Sequence, residues 1–295
     1  MQKQSSAVTT DSSSAVQQML TRTILRYREQ KSHPSDDQIL VEFPLVITLN
    51  AIPIATLECT PGNEVALALG FCITEQLIST TEQVRLLHHK SSPEEAEVAL
   101  SIKGGKERVY QILQHKGVRV SSSCYGSGAH GASTRFPDVG NDFSLSPSQV
   151  HSLQKESEAC QALFSSTGAT HFCALYDKNL SLIAYSEDVG RHNALDKSIG
   201  QTMQSGCIGD IRLILLSSRV SHEMLRKSAA VNAQVIAGFS AVTSSAIHLA
   251  EQTNRTLLGF VRNGRMNIYS HSERLGLSSP SPQMLPETAS VNYVL

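Results

Sequence analysis

The chain has 295 residues, of which 40% are hydrophobic, and its formal net charge is −1. This length and composition predict one large domain or two ordinary ones with a sizeable core. The balanced charge excludes a large basic surface of the kind that binds nucleic acid or a membrane, so an anion must bind at a local site. No stretch is apolar for long enough to span a bilayer, and residues 1–18 lack a signal-peptide pattern. We therefore expect a cytoplasmic protein.

The first elements in chain order are a tail and a hairpin. Residues 1–36 are polar and have no settled period, which is typical of a flexible amino-terminal tail. Two β-rich runs follow, over residues 39–49 and 52–59. They predict a hairpin that turns at Asn50-Ala51.

A helix and three short strands are predicted next. Asn63 is expected to be the N-cap of a helix that reaches about residue 78, with Glu64 at its positive end. The strands are predicted over residues 84–87, 96–102 and 108–113, and a loop rich in Ser and Gly follows them.

The polar stretch before Pro147 predicts a domain boundary. It divides the chain into a smaller amino-terminal α+β domain over residues 37–143 and a second domain over residues 144–276, with a carboxy-terminal tail over 277–295. Strands and helices alternate in the second domain, which indicates an α/β layer fold with a mixed sheet. The predicted strands are 170–176, 180–186, 211–216, 234–239, 256–261 and 266–269, and the predicted helices are 147–164, 191–203, 222–231 and 244–252.

The loop from Val120 to His130 sets Cys124 among Ser and Gly residues, which favour turns and exposed backbone. A thiol there is accessible to a partner, whereas Cys72 and Cys173 have apolar neighbours typical of core residues. The alternative is that Cys124 is a small loop residue without a chemical role. No two of the six cysteines form a C-x-x-C pair, so neither a metal knuckle nor a disulfide framework is predicted.

One candidate anion site lies where a strand meets a helix, within residues 186–200. The predicted helix begins with Arg191, His192 and Asn193, and free amides beside a cation bind anions well. The alternative is structural: Asp188 caps the helix, and Arg191 or Lys197 pairs locally. The residues alone do not decide between the two.

Two further segments place cations at loops. Ser217-Ser218-Arg219 follows a buried strand, and ligands of α/β sheets bind beyond the carboxyl ends of strands. A polar turn with a surface arginine is the alternative. The other segment is a predicted hairpin that places two arginines around a tight turn, which suits a phosphate. Taken alone, the segment favours the alternative of a solvated hairpin tip. It comprises Phe260, Val261, Arg262, Asn263, Gly264 and Arg265.

Several common motifs are absent from the sequence. It has no G-x-G-x-x-G after a strand, no Walker A motif, no H-E-x-x-H and no zinc deaminase signature. We therefore predict no metal site.

Taken together, these segments resemble the formate dehydrogenase accessory protein family, FdhD, whose members are sulfurtransferases for the molybdenum cofactor. The resemblance covers about residues 40–275. It rests on the Cys124 loop, on the long segments 187–197 and 259–269, and on 66–71 with Thr74-Glu75.

The resemblance implies a cytoplasmic homodimer whose carboxy-terminal domain has a cytidine-deaminase-like α/β fold without zinc. It also implies that a cysteine desulfurase loads sulfur onto Cys124 as a persulfide. The sulfur then passes to the bis-molybdopterin guanine dinucleotide cofactor before that cofactor enters the formate dehydrogenase apo-enzyme. The family loop has two cysteines, and Ser127 replaces the second one here. A redox cycle resolved within the loop is therefore in doubt.

The resemblance implies that residues 260–265 bind the cofactor. We add Arg191, His192, Asn193, Ser217 and Arg219 as candidates for its nucleotide pocket, while a core hydrogen-bonding role for His192 stays open. A different class of function is a non-catalytic chaperone that binds and delivers the cofactor. A thiol-disulfide oxidoreductase is disfavoured because C-x-x-C is missing.

Overall fold

The computed structural model describes residues 16–78, 80–116, 136 and 138–278, so the Cys124 loop lies outside the described residues. The strands in the described ranges are β1 (Met19–Arg28), β2 (Lys31–Leu40), β3 (Phe43–Leu49), β4 (Ile52–Cys59), β5 (Val84–Ser91), β6 (Ala96–Ile102), β7 (His171–Tyr176), β8 (Leu182–Asp188), β9 (Leu213–Leu216), β10 (Val235–Gly238), β11 (Thr256–Arg262) and β12 (Arg265–Ser270). The α-helices there are α1 (Glu64–Thr74), α2 (Gly105–Lys116), α3 (Pro147–Ala159), α4 (Ala162–Thr167), α5 (Arg191–Gln204), α6 (His222–Ser228) and α7 (Ser244–Gln252).

The expectation of a flexible tail over residues 1–36 is wrong for its described end. The strands β1 and β2 pair as an antiparallel ribbon. Polar side chains join the two strands: Arg26 bonds Asp37 at 3.2 Å, and Thr23 donates to Asp36 at 2.7 Å. Most of the ribbon is exposed, so it lacks the alternation of apolar and polar residues that reveals a half-buried strand.

A four-stranded sheet with the order β4-β3-β6-β5 follows the ribbon. The predicted turn at Asn50-Ala51 is confirmed, because both residues have positive φ and join β3 to β4. Asn63 is the N-cap of α1, but its φ is 63° and its side chain makes no cap hydrogen bond. Instead, Glu64 accepts a hydrogen bond from the Gly62 amide at 2.7 Å.

The strand predicted over residues 108–113 is wrong, since these residues belong to α2. Val109, Ile112 and Leu113 are spaced to lie on one face of a helix. Val109 is 1% exposed, and the other two pack against the same core. A short apolar run of this kind is compatible with a strand or a helix. Here the helix is favoured because one of its faces is buried against the core.

The carboxy-terminal half forms a six-stranded mixed sheet with the order β12-β11-β10-β9-β7-β8. The predicted strands and helices are present here with shifted ends, except that the helix predicted over 147–164 is two helices. The break lies at Cys160 and Gln161, between α3 and α4. Ser146 and Gln149 form a capping box that starts α3 at Pro147.

The helices α1 and α5 join the two sheets. A Cβ added at Gly70 would lie 1.8 Å from the Asp196 carbonyl oxygen, and one at Gly200 would lie 1.8 Å from that of Ala66. The two backbones therefore touch, and only glycine fits at these positions. One hydrophobic cluster contains residues of both halves of the chain, and a second cluster lies between the six-stranded sheet and α3.

Candidate functional site

The topology gathers the predicted site segments at one edge of the six-stranded sheet. The strands β9, β10 and β11 are parallel, and β7 is antiparallel to both β8 and β9. The carboxyl ends of β8 to β11 therefore meet the amino end of β7. This edge is where open α/β sheets bind ligands. It carries Arg191 and His192 after β8, Ser217 and Arg219 after β9, and the 260–265 hairpin at the end of β11.

The hairpin over 260–265 presents two exposed arginines. Asn263 and Gly264 have φ values of 52° and 71°, which matches the tight turn that Asn-Gly favours. Arg262 lies 5.8 Å from the ring centroid of Phe260, and the Phe260 amide donates to the Ser240 carbonyl at 2.9 Å. Val261 is fully buried in the core, so its side chain packs rather than faces the solvent.

The segment from Asp188 to Lys197 divides into a buried and a half-buried group. Asp188 accepts hydrogen bonds from the amides of Gly190 at 2.8 Å and Thr60 at 3.1 Å. Lys197 lies 2.7 Å from Asp188, and Asn193 donates to Asp188 at 3.0 Å and to the Glu58 carbonyl at 2.7 Å. The structural alternative therefore holds for Lys197, which pairs with Asp188, but not for the cap, because the N-cap is Gly190.

The first turn of α5 leaves Arg191 and His192 half-buried at the sheet edge. The Nε2 atom of His192 lies 3.3 Å from a carboxylate oxygen of Glu223 in α6. Burial favours the protonated form of Glu223, but the hydrogen bond with His192 and the positive charges nearby lower its pKa overall. Glu223 therefore stays ionised and holds the His192 ring at this edge.

A cavity of about 380 Å³ opens beside α4 at the same edge. Ser217 lines it, but sequence reasoning missed its other residues, because they lie on separate elements and form no motif. Ser217 accepts a hydrogen bond from the Phe172 amide at 2.9 Å and lies 3.3 Å from Nδ1 of His171. Burial lowers the pKa of His171, as do the charges of Arg191 and His192. The remaining lining residues are Glu158, Gln161, Phe164, Gly168, Ala169, Thr170 and Phe239.

The described cysteines differ in their access to solvent. Cys59, Cys72 and Cys173 are buried, and burial raises the pKa of each thiol, to about 12 for Cys72. Cys160 is exposed and Cys207 is half-buried. Burial makes the first three unsuitable for thiol chemistry.

Within the described ranges, no three His, Cys, Asp or Glu side chains are grouped so that they could hold a metal ion. None of the helices there has the length and apolar character needed to cross a membrane.

A family model described as the FdhD/NarQ family matches residues 40–276. The chain belongs to the FdhD/NarQ family. This confirms the resemblance inferred from the motifs, and the matched range contains the Cys124 loop and the sheet-edge segments.

The FdhD/NarQ relatives include proteins named sulfur carrier protein FdhD. The one from Bacillus subtilis is 32% identical over 267 residues, which cover 86% of this chain and 96% of that protein. The one from Staphylococcus aureus (strain MRSA252) is 33% identical over 264 residues, which cover 87% of this chain and 96% of that protein.

A crystal structure from Desulfotalea psychrophila, named as that of a formate dehydrogenase accessory protein, matches with a TM-score of 0.68 and 22% identity. The match covers 88% of this chain and all of that one. It supports the mixed α/β fold described above.

Proposed function

We propose that this protein is a sulfur carrier required for formate dehydrogenase activity, with Cys124 as the carrier. One observation carries the proposal: the family match spans residues 40–276, a range that includes Cys124. The resemblance described above implies that Cys124 occupies the first cysteine position of the family's carrier loop. The relatives named sulfur carrier protein FdhD support it, because they match nearly their whole length. The burial of Cys59, Cys72 and Cys173 also supports it, since it removes three competing thiols.

The chemistry needs one accessible thiol. A cysteine desulfurase would load sulfur onto Cys124 as a persulfide, which is a reversible cysteine modification. A nucleophile then attacks the terminal sulfur, the S–S bond breaks, and its electron pair returns to Cys124 as a thiolate. Ser127 removes the neighbouring thiol that could close a disulfide and expel the sulfur first. We therefore propose a sulfurtransferase that works through a single cysteine.

The recipient in this proposal is the bis-molybdopterin guanine dinucleotide cofactor, before its insertion into the formate dehydrogenase apo-enzyme. Its phosphates would bind along the carboxyl ends of β8, β9 and β11, where the chain places four cationic side chains and the first turn of α5. These are Arg191, Arg219, Arg262 and Arg265, and His192 follows Arg191 in the same turn. Of our other candidates, Ser217 lines the adjoining cavity, whereas Asn193 uses its amide group in the buried cluster.

The proposal also includes a cytoplasmic location, a homodimer, and a cytidine-deaminase-like arrangement of the six-stranded sheet. The mixed order of that sheet is the observation that favours the cytidine-deaminase-like arrangement. The division into domains at residue 143 stays a prediction.

The second candidate function is a non-catalytic chaperone that binds the cofactor and delivers it to the apo-enzyme. Ser127 in place of the second loop cysteine favours it. In that case Cys124→Ala would still restore formate dehydrogenase activity in cells that lack the protein.

The experiment is a mass measurement. The purified protein is mixed with a cysteine desulfurase and cysteine, and its intact mass is recorded before and after addition of a reductant. We expect a gain of one sulfur atom that the reductant removes, and no gain in Cys124→Ala. Cys160→Ala is the matched control, because Cys160 is the exposed thiol among the described cysteines. If wild-type protein gains no sulfur, or Cys124→Ala gains as much, the carrier role is wrong.

A further inference from the structure

One wall of the cavity at the sheet edge is the helix α4, which contributes no residue to the hydrophobic core. The sheet side is formed by His171, Ser217 and Phe239, and His171 lies close enough to Arg191 and His192 for their charges to lower its pKa. The opposite side comes from α4, through Gln161 and Phe164. No residue of α4 is buried, and Phe164 is 44% exposed. Packing alone therefore does not fix this wall.

The helix α4 is also too short to be stable by itself. It has six residues, and isolated helices below about 12 residues are marginal in water. Its N-cap residue, Gln161, makes no side-chain cap hydrogen bond. Another group must satisfy the free amides of the first turn.

Glu187, at the end of β8, supplies that group. One carboxylate oxygen accepts from the Leu163 amide at 3.0 Å, and the other accepts from the Phe164 amide at 2.8 Å. The hydroxyl of Thr170 donates to the second oxygen at 2.7 Å. Bonds from a carboxylate to amides at a helix start are charge-assisted and stronger than neutral ones. Glu187 thus joins α4 to the end of β8 in the six-stranded sheet.

We propose that Glu187 is a positioning residue for cofactor binding. It holds α4 so that Phe164 closes the cavity, and the cavity takes the uncharged part of the ligand whose phosphates lie on the arginines. This inference rests on the proposed function, because it assumes that the same ligand binds the sheet edge. Glu187 itself does not line the cavity, so it acts through α4 rather than by contact with the ligand.

The test is a double-mutant cycle with guanosine diphosphate as the probe. The full chain is used, and dissociation constants are measured by calorimetry at fixed salt. Glu187→Gln keeps the size of the side chain but replaces one acceptor oxygen with a donor, and we expect binding about tenfold weaker. Phe164→Ala removes the wall residue, and we expect a similar loss. Glu156→Gln, which alters an exposed carboxylate on α3, is the matched control and should bind as wild type does.

The double variant separates a positioning role from general destabilisation. If Glu187 acts through the wall, Glu187→Gln causes no further loss in the Phe164→Ala background. Losses that multiply to about a hundredfold would overturn the proposal, as would tight binding by Glu187→Gln. Faster hydrogen exchange of the Leu163 and Phe164 amides is expected in Glu187→Gln. If that variant does not fold, undiminished binding by Phe164→Ala alone still refutes the idea.

The outcomes also distinguish this inference from the proposed function. Loss of probe binding in Arg262→Ala but not in Glu187→Gln leaves the phosphate site intact and removes only the role of Glu187. Wild-type protein that does not bind the probe at all contradicts this inference and the proposed phosphate site, and leaves the carrier role of Cys124 to the sulfur-loading measurement. The sulfur-loading measurement on Cys124 is independent of either result.

Discussion

The polar residues around the start of α5 form two contrasting groups. Asp188 and Lys197 are 0% and 2% exposed and make a 2.7 Å ion pair that ties the end of β4 to the helix. Arg191 and His192, in the first turn, stay half-buried at the edge of the sheet. The same short motif thus supplies a buried ion pair that joins β4 to α5, here called the lock, and the half-buried side chains that we propose bind a ligand. A charged side chain belongs to the lock when buried partners satisfy it, and it is available to a ligand when solvent still reaches it.

Removal of one partner from the lock should have the largest effect. Lys197→Met leaves the buried Asp188 side chain without its cationic partner, and we expect a loss of about 3–5 kcal/mol in the free energy of unfolding. Denaturant titration followed by circular dichroism measures it. Arg191→Met is the comparison in the half-buried group, where a change below about 1 kcal/mol is expected. Equal losses of stability in the two variants would contradict the distinction between the buried group and the half-buried group.

The helix contact that supports the lock is the next test. Gly200→Ala places a methyl group against the Ala66 carbonyl, so the α1 and α5 backbones must separate. We expect a loss of about 3 kcal/mol, at the upper end of the usual overpacking cost. Gly209→Ala is the matched control, because an added Cβ there meets no atom within 4 Å. Thermal unfolding of both variants measures this loss. An unchanged midpoint in Gly200→Ala would contradict the close crossing of α1 and α5.

Glu75, at the end of α1, and Lys227, in α6, form a second buried ion pair, which predicts that stability falls at acid pH. Burial opposes ionisation of Glu75, but Lys227 and Arg226 outweigh it and lower its pKa from 4.5 to about 2. A folded-state pKa below the unfolded one stabilises the protein above pH 4.5, and this contribution is lost as pH falls towards 2. The shift corresponds to about 3 kcal/mol in the free energy of unfolding.

Unfolding titrations between pH 5 and pH 2 measure this loss, and Glu75→Gln should show a shallower dependence on pH. Asp196 works in the opposite direction, since burial raises its pKa despite the bond from Lys227. An identical pH dependence in wild type and Glu75→Gln would count against the paired, ionised state of Glu75.

The smallest effect is expected at the exposed edge. Arg262→Ala and Arg265→Ala should each weaken guanosine diphosphate binding about tenfold, which is about 1.4 kcal/mol. Their stability should change by less than about 0.5 kcal/mol, because both side chains are exposed. Calorimetry at two salt concentrations checks this, and the loss should shrink at high salt. Lys178→Ala, at the turn between β7 and β8, is the control for an exposed cation elsewhere.

Sequence reasoning recovered the elements whose signals are local. Asn50-Ala51 and Asn263-Gly264 mark their turns, and the run at Leu213–Leu216 has the uniform apolar character of a buried central strand. It failed where the local signal is ambiguous. The run around Val109 fits a strand as well as a helix, and the ribbon β1–β2 is largely exposed and mixes polar residues with exposed apolar ones such as Leu25 and Tyr27. The break between α3 and α4 also depends on Glu187, a residue that is distant along the chain.

The sequence by itself determined the family, the Ser- and Gly-rich loop with its single cysteine and the segments that carry cations, because each of these is a property of consecutive residues. Only the tertiary structure decided which of those cations are free to bind a ligand. Asn193 and Lys197 look like Arg191 and His192 in the sequence, but β4 and α1 bury the first pair and leave the second at the edge. The cavity beside α4 was equally invisible, since its walls come from segments that meet only when the sheet is formed. Burial and hydrogen-bond satisfaction depend on distant parts of the chain, and no local pattern encodes them.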